Sequence, residues 1–146
     1  MGIDYVEIKQ YICGYRCFDD KARNYKAIFS NIEEFIDHSE IKFFYPKNLF
    51  LVDKDLEVYV FLDGKILRGR SLEESRIELK IFNLRDLVDF KCECIDNREE
   101  YFHKITLKFE NDEIIVFDSM TDTNESWKYK FDNQIKEIIK VLIKNY

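Results

Sequence analysis

The sequence predicts an α+β fold: a helical start, a run of antiparallel strands and one closing helix. Three observations carry that expectation. Apolar and polar residues alternate in Arg76–Phe82, Val88–Cys94, Lys104–Phe109 and Trp127–Phe131, the period of half-buried strands. Residues 20–37 carry Ala22, Tyr25, Ile28, Phe29, Ile32, Phe35 and Ile36 in one helical stripe. At the other end Ile135, Ile138, Ile139 and Leu142 return to helical spacing.

At the start, Ile8, Tyr11, Ile12 and Tyr15 lie at helical spacing, and Gly14 weakens the end of that segment. One helix, or two, therefore fills the first forty residues, with Asp19 or Asp20 capping the second. Pro46, the single proline, is expected at a boundary, because it cannot continue a central strand and holds Tyr45 extended. The organisation read here is one domain, residues 1–146, with a helical segment 1–45 ahead of strands and a last helix in 46–146. Asn48–Val52 is a short apolar segment. Leu56–Leu62 and Lys65–Arg70 flank Asp63-Gly64, a strong hairpin signal. That turn predicts Leu62 opposite Lys65, Phe61 opposite Ile66, Val60 opposite Leu67, Tyr59 opposite Arg68 and Glu57 opposite Arg70. Both faces of the hairpin carry apolar side chains, so both should be covered, one of them by the N-terminal helix.

Ser71–Ser75 reads as a polar connection. In Val88–Cys94, the cysteines Cys92 and Cys94 continue the apolar face of Val88 and Phe90 and read as small buried hydrophobes. Asp96–Glu100 is a charged turn. Tyr101–Phe109 and Ile114–Asp118 form a hairpin closed by Glu110–Glu113, with Phe109 opposite Ile114 and Leu107 opposite Val116. Ser119–Ser126 is a polar loop. Trp127–Phe131 is a seventh strand or the start of the last helix, and Asp132 is placed as that helix's cap.

Seven antiparallel strands counted from Leu56 leave a barrel or sandwich with an open end that the last helix can plug. The order Ile81–Phe90, Ile105–Phe109, Ile114–Asp118 and then the helix resembles bacterial members of the pleckstrin-homology-like (PH-like) superfold. The resemblance covers residues 56–143 and rests on element order. It implies a seven-stranded antiparallel PH-like barrel or sandwich closed by the C-terminal helix.

The 146 residues are 46% hydrophobic and 36% charged, enough to bury a core unaided. A net charge of −6 disfavours nucleic acid and anionic membranes and fits a basic protein partner. The first residues lack the apolar core of a signal peptide, and no apolar run is long enough for a membrane span, so the expected location is the cytoplasm with reduced cysteines.

Candidate chemistry is sparse. Cys13, Cys17, Cys92 and Cys94 with His38 and His103 are the residues from which a zinc site would have to come, but the two cysteine pairs stand far apart in sequence. Lys65, Arg68 and Arg70 resemble the Lys…Arg-x-Arg pattern with which some pleckstrin-homology domains bind phosphoinositide headgroups, and form the candidate binding site. Lys65 falls on the opposite strand face from the two arginines. Glu57 opposite Arg70 and Tyr59 opposite Arg68 offer an ion pair and a cation–π contact instead. Asp118, Asp122 and Asn124 read as solvated loop groups, as do Glu33-Glu34, Glu73-Glu74 and Glu99-Glu100. His103 reads as partly buried and hydrogen-bonded. No nucleophile motif or phosphate-cradling glycine loop occurs. The expected function is a non-enzymatic binding module for protein or peptide without a cofactor. Phosphate or lipid-headgroup binding is the alternative. The dense aromatics, Phe 13 and Tyr 9, serve interfaces and cores equally well.

Overall fold

The computed structural model describes residues 3–15, 20–73 and 75–145. Helices α1 (Tyr5–Tyr15) and α2 (Asp20–Phe35) come first. Ile8, Ile28, Phe29 and Ile32 of the stripes seen in the sequence are buried, together with Tyr5, whereas Tyr11 and Phe35 of those stripes are exposed. The expected cap at Asp19 or Asp20 falls on side chains outside the described residues.

Strands β1 (Phe43–Lys47), β2 (Glu57–Leu62), β3 (Lys65–Glu73) and β4 (Arg76–Asn83) form an antiparallel sheet in the order β1-β2-β3-β4. The β2–β3 hairpin pairs as Asp63-Gly64 predicts, from Leu62 opposite Lys65 to Glu57 opposite Arg70. Two boundaries differ from expectation. The first strand begins at Phe43 and runs through Pro46, which pairs with Val58. It is an edge strand, where a missing N–H leaves no ladder bond unmade. And β3 continues to Glu73, so the expected polar connection is mostly strand.

Strands β5 (Leu87–Asn97), β6 (Glu100–Phe109) and β7 (Ile114–Asp118) form a second antiparallel sheet in that order. The β5–β6 turn places Arg98 and Glu99 at φ 55° and 74°, two left-handed residues as in a two-residue type I′ hairpin. The β6–β7 register is one residue away from the expected one: Lys108 faces Ile114, Leu107 faces Ile115 and Ile105 faces Phe117. Asp112 turns at φ 66° and the Phe109 amide donates to the Glu113 carbonyl at 3.0 Å, which takes one residue more into the loop. This register sends Ile115 and Phe117 inward and leaves Ile114 54% exposed.

Trp127–Phe131 is not a strand. Helix α3 runs over Lys128–Asn145, and Asn124 accepts the Trp127 amide at 3.1 Å just ahead of it. Asp132 therefore lies inside the helix rather than capping it. Among the described residues the count of seven strands is met with β1 in place of Trp127–Phe131, and the strands make two sheets rather than one closed barrel.

The first sheet is the middle layer. Phe44, Val58, Val60, Leu67 and Gly69 share the face toward α1 and α2, where the Phe29 and Phe44 rings lie 6.2 Å apart. A Cβ on Gly69 would stand 2.7 Å from Ile28 Cγ2, so α2 packs directly on β3 backbone. Tyr45, Tyr59, Phe61, Ile66, Arg68 and Phe82 share the other face. There the Phe117 ring lies 4.2 Å from Tyr45, 4.9 Å from Tyr59 and 6.0 Å from Phe61. Helix α3 packs on β1, β6 and β7 through Phe131, Ile135, Ile138 and Leu142. One connected cluster of buried side chains runs from Ile3 to Leu142.

Candidate functional site

The two sheets meet along two seams, and they differ. The seam between β1 and β7 is tied shut. Asp122 Oδ2 accepts both the Tyr45 hydroxyl and the Asp118 amide at 2.7 Å, and the Asp122 carbonyl accepts the Asn48 amide at 2.7 Å. Lys47 Nζ donates to the Val116 carbonyl at 2.6 Å and stands 3.9 Å from Asp122 Oδ1. Leu49 bridges to Thr123, whose hydroxyl donates to the Leu49 carbonyl. Asp122 is 2% exposed, which corrects its reading as a solvated loop acid. Burial pushes its carboxyl above the ordinary range, and Lys47 opposes that. Asp118 and Asn124 serve the loop itself, accepting the amides of Met120 and Trp127.

Among the described residues the seam between β4 and β5 is tied only beside the chain connection. Phe82 and Phe109 stack at 5.1 Å, Lys80 pairs with Glu113, and the Glu110 amide donates to the Asp86 carbonyl at 2.9 Å. Farther out the sheets part. The rows of opposed residues across the second sheet show it. Phe117 and Ile105 are fully buried, but Cys92, next in that row, is exposed. Ile115 and Leu107 are buried, and Phe90 beside them is half-buried. The first sheet packs over β7, and β5 lies two strand spacings, roughly 10 Å, away from it. The inner face of β5 thus runs out from under its cover.

This corrects the expectation for Cys92 and Cys94. Their parity is inward, but both are exposed, and so is Val88 at 54%. Val88 is displaced by a bulge between Leu87 and Asp89. Burial, and next the neighbouring Cys94, pushes the Cys92 thiol up, away from ready thiolate formation. On the outer face Lys91 and Glu93 pair at 3.0 Å, and Lys91 holds the Glu93 carboxyl low. The second edge of β5 has no strand beside it among the described residues. About half of its eleven residues point N–H and C=O groups outward along that edge.

The basic candidate is turned inward on itself. Arg68 Nη2 and Arg70 Nε both donate to Glu78 Oε1 at 2.9 Å, and the Arg68 hydrogen bond holds the Glu78 carboxyl low. Arg68 is 8% exposed and lies over the Phe82 ring at 5.3 Å. Of the partners expected across the hairpin, Glu57 accepts the Tyr59 hydroxyl at 2.8 Å, and Arg68 remains beside that hydroxyl. Glu78 lies directly across from Arg70 on the other neighbouring strand, β4. Lys65 is exposed and points to the opposite face.

His103 is half-buried, as its sequence suggests. Its Nδ1 lies 3.1 Å from Asp132 Oδ1, which also accepts the His103 amide at 2.6 Å and the Ser119 hydroxyl at 3.0 Å. Asp132 sits between serine and histidine, and the cluster anchors α3 to β6. His38 is exposed, 5.5 Å from the Tyr5 ring. Cys17 lies outside the described residues. Among the described residues no three His, Cys, Asp or Glu side chains converge on a metal position, and no helix is long and apolar enough to cross a membrane.

The family described as protein of unknown function (DUF3908) matches residues 4–133. The chain belongs to DUF3908. The DUF3908 match takes in both N-terminal helices, all seven strands and the start of α3 with Asp132, so the helical segment lies within the same matched region as the sheets. No curated protein and no solved structure matches the chain.

Proposed function

We propose that this protein is a non-enzymatic cytoplasmic module that binds another protein by adding one extended segment to the free edge of β5. One observation carries the reading: an eleven-residue strand that, among the described residues, is paired on one side only, and whose inner face shows Phe90, Cys92 and Cys94 beyond the cover of the first sheet. A segment laid along that edge makes its ladder bonds to backbone and sets alternate side chains beside those three. The β4 edge is shorter, and its Glu78 and Lys80 are already in ion pairs. The element order of seven strands and a helix supports the PH-like reading of the fold. Free thiols at Cys92 and Cys94 fit a reducing compartment. Headgroup binding at Arg68 and Arg70 is the weaker reading, since both direct donors to Glu78.

Selection of displayed random peptides on the protein, followed by amide hydrogen exchange, tests this. Selected peptides should carry apolar residues at every second position and slow exchange in β5, leaving β3 unchanged. Protection that maps away from β5, or that inorganic phosphate alone produces, would overturn the assignment.

A further inference from the structure

We infer that the strand added to β5 is the β5 of a second copy of this chain, paired antiparallel about a twofold axis at Cys92. The inference rests on the edge-pairing reading above and names its partner. A twofold axis normal to the sheet pairs residue 92 − k with 92 + k of the second copy and keeps inner faces continuous. Cross-strand neighbours then decide which centre is acceptable.

With the centre at Cys92, Lys91 faces the second copy's Glu93 and Glu93 faces its Lys91. Phe90 faces Cys94 twice over, and Cys92 faces itself. Every charge opposite another charge is complementary, and every inner-face pair is apolar. Moving the centre by one residue fails in both directions. Centred on Lys91, lysine faces lysine and Asp89 faces the second copy's Glu93. Centred on Glu93, glutamate faces glutamate. Centred on Phe90, Asp89 faces Lys91, but the next pair already needs Val88 inside the bulge at Leu87/Asp89; Cys92 is the centre that opposes unlike charges over a regular run of strand.

Three further observations agree. The β5 ladder is regular from Asp89 to Asn97, so seven residue pairs, Asp89–Ile95 on each copy, form without crossing the bulge at Leu87/Asp89. Lys91 and Glu93 already lie 3.0 Å apart within one copy, so the dimer makes a four-charge cluster of alternating sign. Phe90, half-buried in one copy, gains its missing neighbour. The net charge of −6 opposes association at long range, an effect that physiological salt screens to within about 8 Å. A single strand pair is a small interface, so association is concentration-dependent.

The geometry gives a chemical readout. Directly opposed residues in an antiparallel pair have Cα atoms about 4.5–5.5 Å apart, within disulfide range. The two Cys94 residues stand four residues apart along the strands, roughly 13 Å, and cannot be bridged. A variant whose only cysteine is Cys92 should link into a covalent dimer under a mild thiol oxidant, while one whose only cysteine is Cys94 should not. Glu93→Lys should lower the linking rate at least tenfold, and adding Lys91→Glu should restore it. Sedimentation of the unmodified protein across a dilution series should follow the same order. Circular dichroism of each variant separates loss of pairing from loss of fold. Equal linking through Cys94, or no rescue by the charge swap, would overturn this pairing. A chain that stays monomeric while selected peptides still protect β5 removes the second copy and leaves edge pairing standing. If β5 is protected by neither, both readings fall.

Discussion

Asp122 accepts the Tyr45 hydroxyl and the Asp118 amide on one carboxylate oxygen while its backbone carbonyl holds Asn48. Three segments thus meet on one residue. Tyr45 is fully buried, so removing the acceptor leaves its hydroxyl without a partner in an apolar layer. Asp122→Ala is expected to destabilise by about 3 kcal/mol, the cost of orphaned buried donors next to a stranded Lys47. Asp122→Asn keeps one oxygen acceptor and removes the desolvated charge, so it should lose less. Urea unfolding of both variants checks the order; an alanine variant as stable as the asparagine variant would mean that the network adds nothing. None of this was legible in Ser119–Ser126, which reads as polar loop. The information lies in a contact 77 residues away. The arginines show the same limit on a smaller scale. A strand has two neighbours, and the hairpin exposes only one of them to sequence reasoning. Glu78, on the other side, took both guanidinium groups.

Among the elements, the packing of α2 on β3 is close at Gly69 and readily tested. Gly69 is where helix meets strand backbone, and Ile28 and Leu79 would crowd an added methyl that Ile32 would only touch. Gly69→Ala should destabilise by roughly 1–3 kcal/mol through overpacking. Ile28→Ala alone should cost about 2–5 kcal/mol for the cavity it leaves. Combined, the two should cost less than their sum, because the new methyl occupies part of that cavity. Strict additivity in a denaturation cycle would show that α2 does not sit where its contacts place it. The β2–β3 register was fully legible, since Asp63-Gly64 fixes the turn and alternation fixes the faces. The β6–β7 register slipped by one because Glu110–Glu113 has no glycine to mark which residue turns left-handed, and Asp112 does so. β1 was hidden by Pro46, whose edge position depends on pairing with β2. The exposure of Cys92 was illegible for a different reason. Alternation gives the side of a sheet, but how far the opposite layer reaches across that side is set by the packing of two sheets, which no local pattern contains.

At the scale of the whole molecule, three buried tyrosines tie stability to pH. Tyr5 lies between the helices and the first sheet, and Tyr45 and Tyr59 lie between the sheets. Each phenol is pushed above its ordinary value of 10.0, first by burial and then by a carboxylate: Glu33 for Tyr5, Asp122 for Tyr45, Glu57 for Tyr59. Above that value the unfolded chain releases three protons that the native state keeps. The unfolded state then binds fewer protons, so stability falls as pH rises and is fully present below pH 10. Three protons give a limiting slope of about 4 kcal/mol per pH unit, against a typical total of about 5–15 kcal/mol. Unfolding at alkaline pH should therefore be cooperative, with tyrosinate absorbance appearing as helical circular dichroism disappears. Tyr59→Phe removes one of the three protons and should reduce the slope by about a third. Gradual ionisation of all nine tyrosines with native circular dichroism intact would contradict the linkage. Because the three hydroxyls sit in two different layers, one shared transition also means that helices and both sheets unfold together, as one core from Ile3 to Leu142 requires.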